Sequence, residues 1–172
     1  MEDKNTINDL FNQAEKTAQT LVQKLKKHSL TLALSESCTA GLVSSLVANI
    51  PGASNVFWGS FVCYTQEAKV SMLNIDNNEL TANGLVSRET ALSMADTALK
   101  KSGACIAASV TGLAGPDGDG SNVPVGTVWI AVARNNGIIL TKEYYFANER
   151  NIIRIRAAAA VLEAILSALP DT

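Results

Sequence analysis

The sequence predicts one α/β domain built on a mixed sheet. Three observations carry that reading: apolar residues recur at helical spacing at both ends of the chain, short apolar runs alternate with helical segments between them, and two late runs flank an Asn-Asn-Gly turn signal. No internal repeat or composition break marks a second domain. A single domain is therefore expected over residues 1–172, with its core at about 7–169.

From Ile7 to Lys27 the residues Ile7, Leu10, Phe11, Ala14, Leu21, Val22 and Leu25 line one face of an amphipathic helix. Leu30 to Leu34 is short and apolar and suits a buried strand. Thr39 can cap a helix running to about Ile50, where Pro51 and Gly52 stop it. Val56 to Tyr64 is aromatic and β-branched, a strand; Thr65 then caps a short helix through Lys69 and Leu73, and a polar connection follows. Ser87 precedes a helix from Arg88 to about Lys101, ended at Gly103. Ala104 to Val110 reads as a central strand. Thr111 to Gly126 holds five of the eleven glycines and two of the four prolines, so it is the main irregular loop. Thr127–Arg134 and Ile138–Phe146 form a hairpin through Asn135-Asn136-Gly137. Asn148 caps a last helix with Ile152, Ile153, Ala157, Ala160, Val161, Ala164, Ile165 and Ala168 on its apolar face.

Composition narrows function before any motif does. Hydrophobic residues make up 47% of the chain and charged residues 17%, which excludes disorder; 14 basic against 16 acidic side chains give a net charge of -2, which argues against a nucleic-acid or membrane-surface partner. No apolar run reaches the ~20 residues of a membrane span, and the N-terminus has no basic, apolar leader pattern, so a cytoplasmic protein is expected. Cys38, Cys63 and Cys105 form no metal-ligand spacing with the one histidine, His28, and neither metal nor cofactor is expected. His28 sits in a basic helix-to-strand connection, so a Ser-His-Asp triad is a poor reading. Any hydrolytic base must then be a carboxylate, a tyrosine or a desolvated lysine.

Four segments could carry chemistry. Ser35-Glu36-Ser37-Cys38-Thr39-Ala40-Gly41 lies where a buried strand gives way to a helix; Ser37 or Cys38 could be a nucleophile facing helix N–H groups, or Ser35 and Thr39 could merely cap the helix while Cys38 fills core. Tyr64 and Lys69 sit on a second strand-to-helix passage. Lys69 could be a desolvated base or a solvated lysine paired with Glu67. The loop from Thr111 to Gly120 has glycines that admit close ligand approach, yet lacks a phosphate-loop or EF-hand pattern, and a plain flexible connection is the alternative. Arg150 and Arg154, four apart on one helix face, could grip a phosphate or carboxylate between two forks or pair at the surface with Glu149.

Taken together, ESCTAG, FVCYTQEAK, VTGLAGPDG followed by PVGTVWIAV, and NERNIIRIRAAAAVLEAIL resemble the CinA C-terminal domain family, the PncC-type nicotinamide-nucleotide amidases, in its stand-alone form. The resemblance implies a three-layer α/β/α fold, a homo-oligomer with a dimer favoured, and metal-independent hydrolysis of the carboxamide of nicotinamide mononucleotide. It implies Ser37 as nucleophile, Lys69 as its base and Tyr64 beside them. Ser35, Cys38, Thr39, Thr111, Gly112, Ala114, Gly115, Pro116, Arg150 and Arg154 would contact the pyridine nucleotide, the arginines near its phosphate. Ala40 stands where many relatives of that family have glycine, and Asp117 and Asp119 add negative charge to the nucleotide loop. A different class of function, a nucleotide-binding or regulatory module without turnover, fits the same motifs.

Overall fold

A computed structural model describes residues 4–134 and 137–170. Its elements run α1 (Lys4–Lys27), β1 (Leu32–Glu36), α2 (Leu42–Ala48), a 3-10 turn (Ala53–Asn55), β2 (Phe57–Val62), α3 (Gln66–Leu73), α4 (Asn77–Asn83), α5 (Arg88–Ser102), β3 (Ile106–Gly112), β4 (Thr127–Arg134), β5 (Gly137–Tyr145) and α6 (Arg150–Ser167). The sheet order is β2-β1-β3-β4-β5. β2, β1 and β3 are parallel, whereas β4 and β5 return antiparallel, so the sheet is mixed.

Strand alternation sorts the two faces. Even-numbered residues Leu32, Leu34, Ile106, Ala108, Val110, Val128, Ile130 and Val132 pack with α1, α2 and α6 in the main core. Odd-numbered Ala33, Ala107, Ala131 and Ala133 face α3, α4 and α5 through Leu73, Leu80, Ala91, Met94, Ala95 and Ala98. These are the three expected layers. Alanines on the odd face let α5 lie close to the sheet. Ala157, Ala158, Ala160 and Ala164 of α6 are buried within the chain, so the alanine-rich helix serves its own core.

Several local expectations are met. The Thr65 hydroxyl accepts from the Ala68 amide at 3.1 Å and the Ser87 hydroxyl from the Thr90 amide at 3.1 Å, while Gly103 closes α5 with φ 66. Four others need correction. β1 and β3 run two residues further than their apolar runs, to Glu36 and Gly112, because the polar Ser35, Glu36 and Thr111 are buried too. Thr39 does not cap α2, whose N-cap is Gly41 at φ 91. Glu149, not Asn148, precedes α6, and its side chain makes no capping bond. The polar connection contains α4, capped by the Asp76 carboxylate on the Asn78 amide at 2.8 Å. The Asn135-Asn136 part of the turn lies outside the described residues; the strands on either side pair antiparallel.

The loop after β3 is closed at its base. Leu113 donates its amide to the Thr127 carbonyl at 2.9 Å and Gly126 returns a bond to the Leu113 carbonyl at 2.7 Å. Among the described residues no helix is long and apolar enough to cross a membrane.

Candidate active site

The site lies at the C-terminal ends of β1 and β3, where an α/β sheet opens a crevice. Ser37, one residue past β1, continues the odd face toward α3; its amide is tied to the Val110 carbonyl at 3.0 Å. From α3 the Lys69 side chain enters the same space and is only 1% exposed. Its Nζ donates to Ser37 Oγ at 3.0 Å and to the Cys63 carbonyl at 2.9 Å. Among the described residues no carboxylate pairs with it. Burial without a counter-ion lowers the Lys69 pKa from the ordinary lysine value, opposed weakly by the neighbouring Cys63 and Cys38 thiols. The Lys69 amine and the Ser37 hydroxyl are thus in direct hydrogen-bond contact inside a buried space. The solvated lysine paired with Glu67 is excluded.

Ser37, Cys38, Tyr64, Lys69, Thr111, Gly112, Ala114, Gly115 and Arg150 line one cavity of about 320 Å³. Leu85, Val86, Asp117 and Asp119 line it as well. Thr111 is buried and its hydroxyl donates to the Leu85 carbonyl at 2.7 Å, which fixes that wall. At Gly112 a Cβ would stand 2.8 Å from Val128 Cγ2, 2.9 Å from the Thr127 carbonyl oxygen and 3.1 Å from Cys38 Sγ, so no larger residue fits behind the Ser37 turn without a shift. Gly115 has φ 74 and precedes a cis bond to Pro116. The Arg150 guanidinium reaches across the mouth, donating to the Gly115 carbonyl and, at 2.7 Å, to the half-exposed Tyr64 hydroxyl.

Four expected contacts fall elsewhere. Ser35 is wholly buried inside β1 and does not reach the cavity. Thr39 is also buried, its hydroxyl spent on Glu36 at 2.7 Å. Pro116 faces a neighbouring cavity of about 520 Å³ beyond Arg150. Arg154 does not join Arg150 at the mouth. Lying one turn further along α6, it donates instead to the Cys38 carbonyl at 3.2 Å and the Thr39 carbonyl at 2.9 Å, from behind the Ser37 turn.

The helix N-terminus is not free for a ligand either. Glu36 accepts the Gly41, Val43 and Ser44 amides at 3.0, 3.1 and 2.9 Å, so the start of α2 is already occupied by a carboxylate. Ala40 donates to the Ser37 carbonyl at 3.0 Å. Cys38 and Thr39 hold the turn's remaining amides. Cys38 Sγ is buried and its thiol pKa is pushed up to about 12 by desolvation, so of the two candidate nucleophiles Cys38 is held as a neutral thiol and Ser37 is the one in contact with the Lys69 amine. Ala40 itself takes the left-handed φ of 51, a conformation that favours glycine.

Known proteins share this architecture. The competence/damage inducible protein CihA from Agrobacterium tumefaciens superposes with a TM-score of 0.86 at 38% identity, covering 90% of this chain and 94% of that one. A CinA superfamily protein from Escherichia coli gives 0.87 at 28% identity, covering 91% and 90%. A CinA-like protein of Thermotoga maritima is 42% identical over 149 residues, 87% of this chain and 36% of that protein. One from Geotalea uraniireducens is 42% identical over 147 residues, 85% and 35% respectively. The chain thus spans about a third of the length of the curated relatives it matches. Since the model of the CinA C-terminal domain matches residues 14–169, the chain belongs to the CinA C-terminal domain family.

Proposed function

We propose that this chain is a metal-independent amidohydrolase that cleaves the carboxamide of nicotinamide mononucleotide to nicotinic acid mononucleotide and ammonia. One observation carries the reading: a lysine with no counter-ion among the described residues, 1% exposed, whose Nζ lies 3.0 Å from the hydroxyl of a serine on the wall of a cavity. A buried cation with no carboxylate is costly to keep, and its use as a proton acceptor accounts for it.

The chemistry follows from that pair. Neutral Lys69 takes the Ser37 proton as Oγ bonds to the amide carbon, giving a tetrahedral oxyanion. The Cys38 amide is the turn's candidate to stabilise it, since Cys38 lines the cavity, Thr39 is wholly buried, and the amides of Ala40, Gly41, Val43 and Ser44 are engaged. Collapse breaks the carbon–nitrogen bond, and Lys69 returns its proton to the departing ammonia. Water then attacks the ester with Lys69 again as base, releasing the carboxylate and restoring Ser37. The electron-poor pyridinium ring helps the first attack. Arg150, exposed at the mouth beside the glycine loop, suits the phosphate and holds the amide in register. Arg154, turned to the backbone, is not assigned to the phosphate.

The test is to incubate the purified protein with nicotinamide mononucleotide and follow ammonia and nicotinic acid mononucleotide. Turnover that is lost in Ser37→Ala, with calorimetric binding retained, is expected. Binding without turnover in the native chain would make it a nucleotide-binding module; undiminished turnover in Ser37→Ala would remove Ser37 from the mechanism.

A further inference from the structure

We propose that Glu36 is the positioning residue of this site, acting on both members of the Ser37–Lys69 pair; the inference rests on the reading of Ser37 as an activated nucleophile. Glu36 is 1% exposed, and among the described residues no basic side chain pairs with it. All its compensation comes from dipoles. Oε2 accepts Thr39 Oγ1–H at 2.7 Å, the Gly41 amide at 3.0 Å and the Val43 amide at 3.1 Å; Oε1 accepts the Ser44 amide at 2.9 Å and the Ser44 hydroxyl. Starting a seven-residue helix needs far less, since a single hydroxyl caps α3 and another caps α5. A buried charge held by five donors is an expensive way to cap a helix and an effective way to fix a loop.

The loop so fixed is the one that carries the nucleophile. The carboxylate bridges from the end of β1 to Thr39, Gly41, Val43 and Ser44, so Ser37 and Cys38 lie inside a closed ring of hydrogen bonds. Arg154 grips the Cys38 and Thr39 carbonyls as well. The same residue also reaches the base. The Glu36 main-chain oxygen accepts the Cys63 amide at 2.7 Å, and the Cys63 carbonyl accepts Lys69 Nζ at 2.9 Å. Thus the side chain of Glu36 sets where Ser37 stands, and its backbone sets where Lys69 stands. Glu36→Gln keeps the shape and the backbone bond but turns one acceptor oxygen into a donor, set against N–H and O–H groups that have no other acceptor.

The test uses the full chain and a fluorophosphonate, which reports serine activation without depending on the natural substrate. Labelling forms an Oγ–phosphorus bond at Ser37, expels fluoride and passes the serine proton to Lys69. The native protein is expected to label at Ser37, located by peptide mass spectrometry. Glu36→Gln should label at least 30-fold more slowly, with nicotinamide mononucleotide binding by calorimetry changed less than 3-fold. Thr39→Val, which removes only one of the five donors, should slow labelling about 5-fold and decides the matter if Glu36→Gln does not fold. Native-rate labelling in folded Glu36→Gln, or in Thr39→Val when the first variant is unfolded, overturns the proposal alone. No labelling of Ser37 in the native protein overturns the activated serine and this inference with it.

Discussion

Replacing Lys69 by methionine should destroy activity and make the protein more stable. The methionine keeps most of the lysine stem's apolar packing and removes the ammonium. At pH 7 an ordinary lysine of pKa about 10.4 can be held neutral at a cost of at most about 4.6 kcal/mol, taking 1.36 kcal/mol per pH unit. That is the most the substitution can recover from desolvation. Against it stands the Cys63 carbonyl, which loses its 2.9 Å partner inside the protein, for about 1–2 kcal/mol; Ser37 Oγ lines the cavity and loses less. The balance therefore favours the variant by at most about 3 kcal/mol, or up to roughly 10 °C in Tm for a chain of this size. The sign of the pH dependence is fixed by the direction of the pKa change. Because the folded-state pKa is lowered, the unfolded chain binds more protons between the folded and ordinary lysine values, and native stability rises with pH across that window. The advantage of Lys69→Met should therefore be largest below the folded pKa, shrink as pH rises, and turn into a deficit of about 1–2 kcal/mol above about pH 10.4, where only the lost Cys63 contact remains. Thermal unfolding of both proteins at pH 7 and pH 10.5, beside an amide-hydrolysis assay expected to fall at least ~10³-fold, measures all of this. A variant less stable than the native protein at pH 7 would refute the claim that Lys69 is a desolvation burden retained for chemistry.

Three further outcomes are expected. Ala40→Gly should raise stability by about 0.5–1 kcal/mol, because φ 51 strains a Cβ by roughly 1–2 kcal/mol and the added chain entropy of glycine offsets only part of that; Tm in a denaturation scan checks it. Gly112→Ala should cost about 1–3 kcal/mol and depress turnover, since its Cβ meets the Thr127 carbonyl oxygen at 2.9 Å, a backbone atom that cannot rotate away. Iodoacetamide at pH 8 should modify Cys105 first, where Thr31 lowers the thiol pKa, and leave Cys38 untouched in the folded protein, as a pKa of about 12 leaves about one thiolate in 10⁴. Peptide mass spectrometry reads the order directly.

How far the chain could be read in advance depended on the range of the interaction involved. Thr65, Ser87 and Gly103 act on neighbours within four residues, and their roles in capping follow from local chemistry. The α4 helix was equally local: Asp76 followed by Glu79 three residues later is a capping signature, masked by a stretch with only Leu80 buried. Ser35 and Glu36 looked like turn residues because they are polar, yet both are buried, Ser35 beneath α5 and Glu36 in contact with five donors. Lys69 was undecidable by spacing. Its burial is assembled by α3, the end of β2 and the Ser37 turn, segments that meet only in the folded sheet. Arg154 misled for a related reason. A helical face predicts that it points with Arg150, but one turn of rise carries it past the cavity mouth to the back of the turn.

The paired bonds between Leu113, Gly126 and Thr127 tie off the glycine loop where it leaves the sheet. Ala114 to Val125 can therefore change in length or composition without altering the register of β3 and β4, and without touching the strand that leads into Ser37 or the helix that carries Lys69. The Ser37–Lys69 pair and the glycine loop thus sit on separately adjustable parts of one small domain. If the proposed amide hydrolysis holds, a chain built this way can drift from one amide to another, keeping the Ser37–Lys69 pair while the loop changes which molecule is admitted.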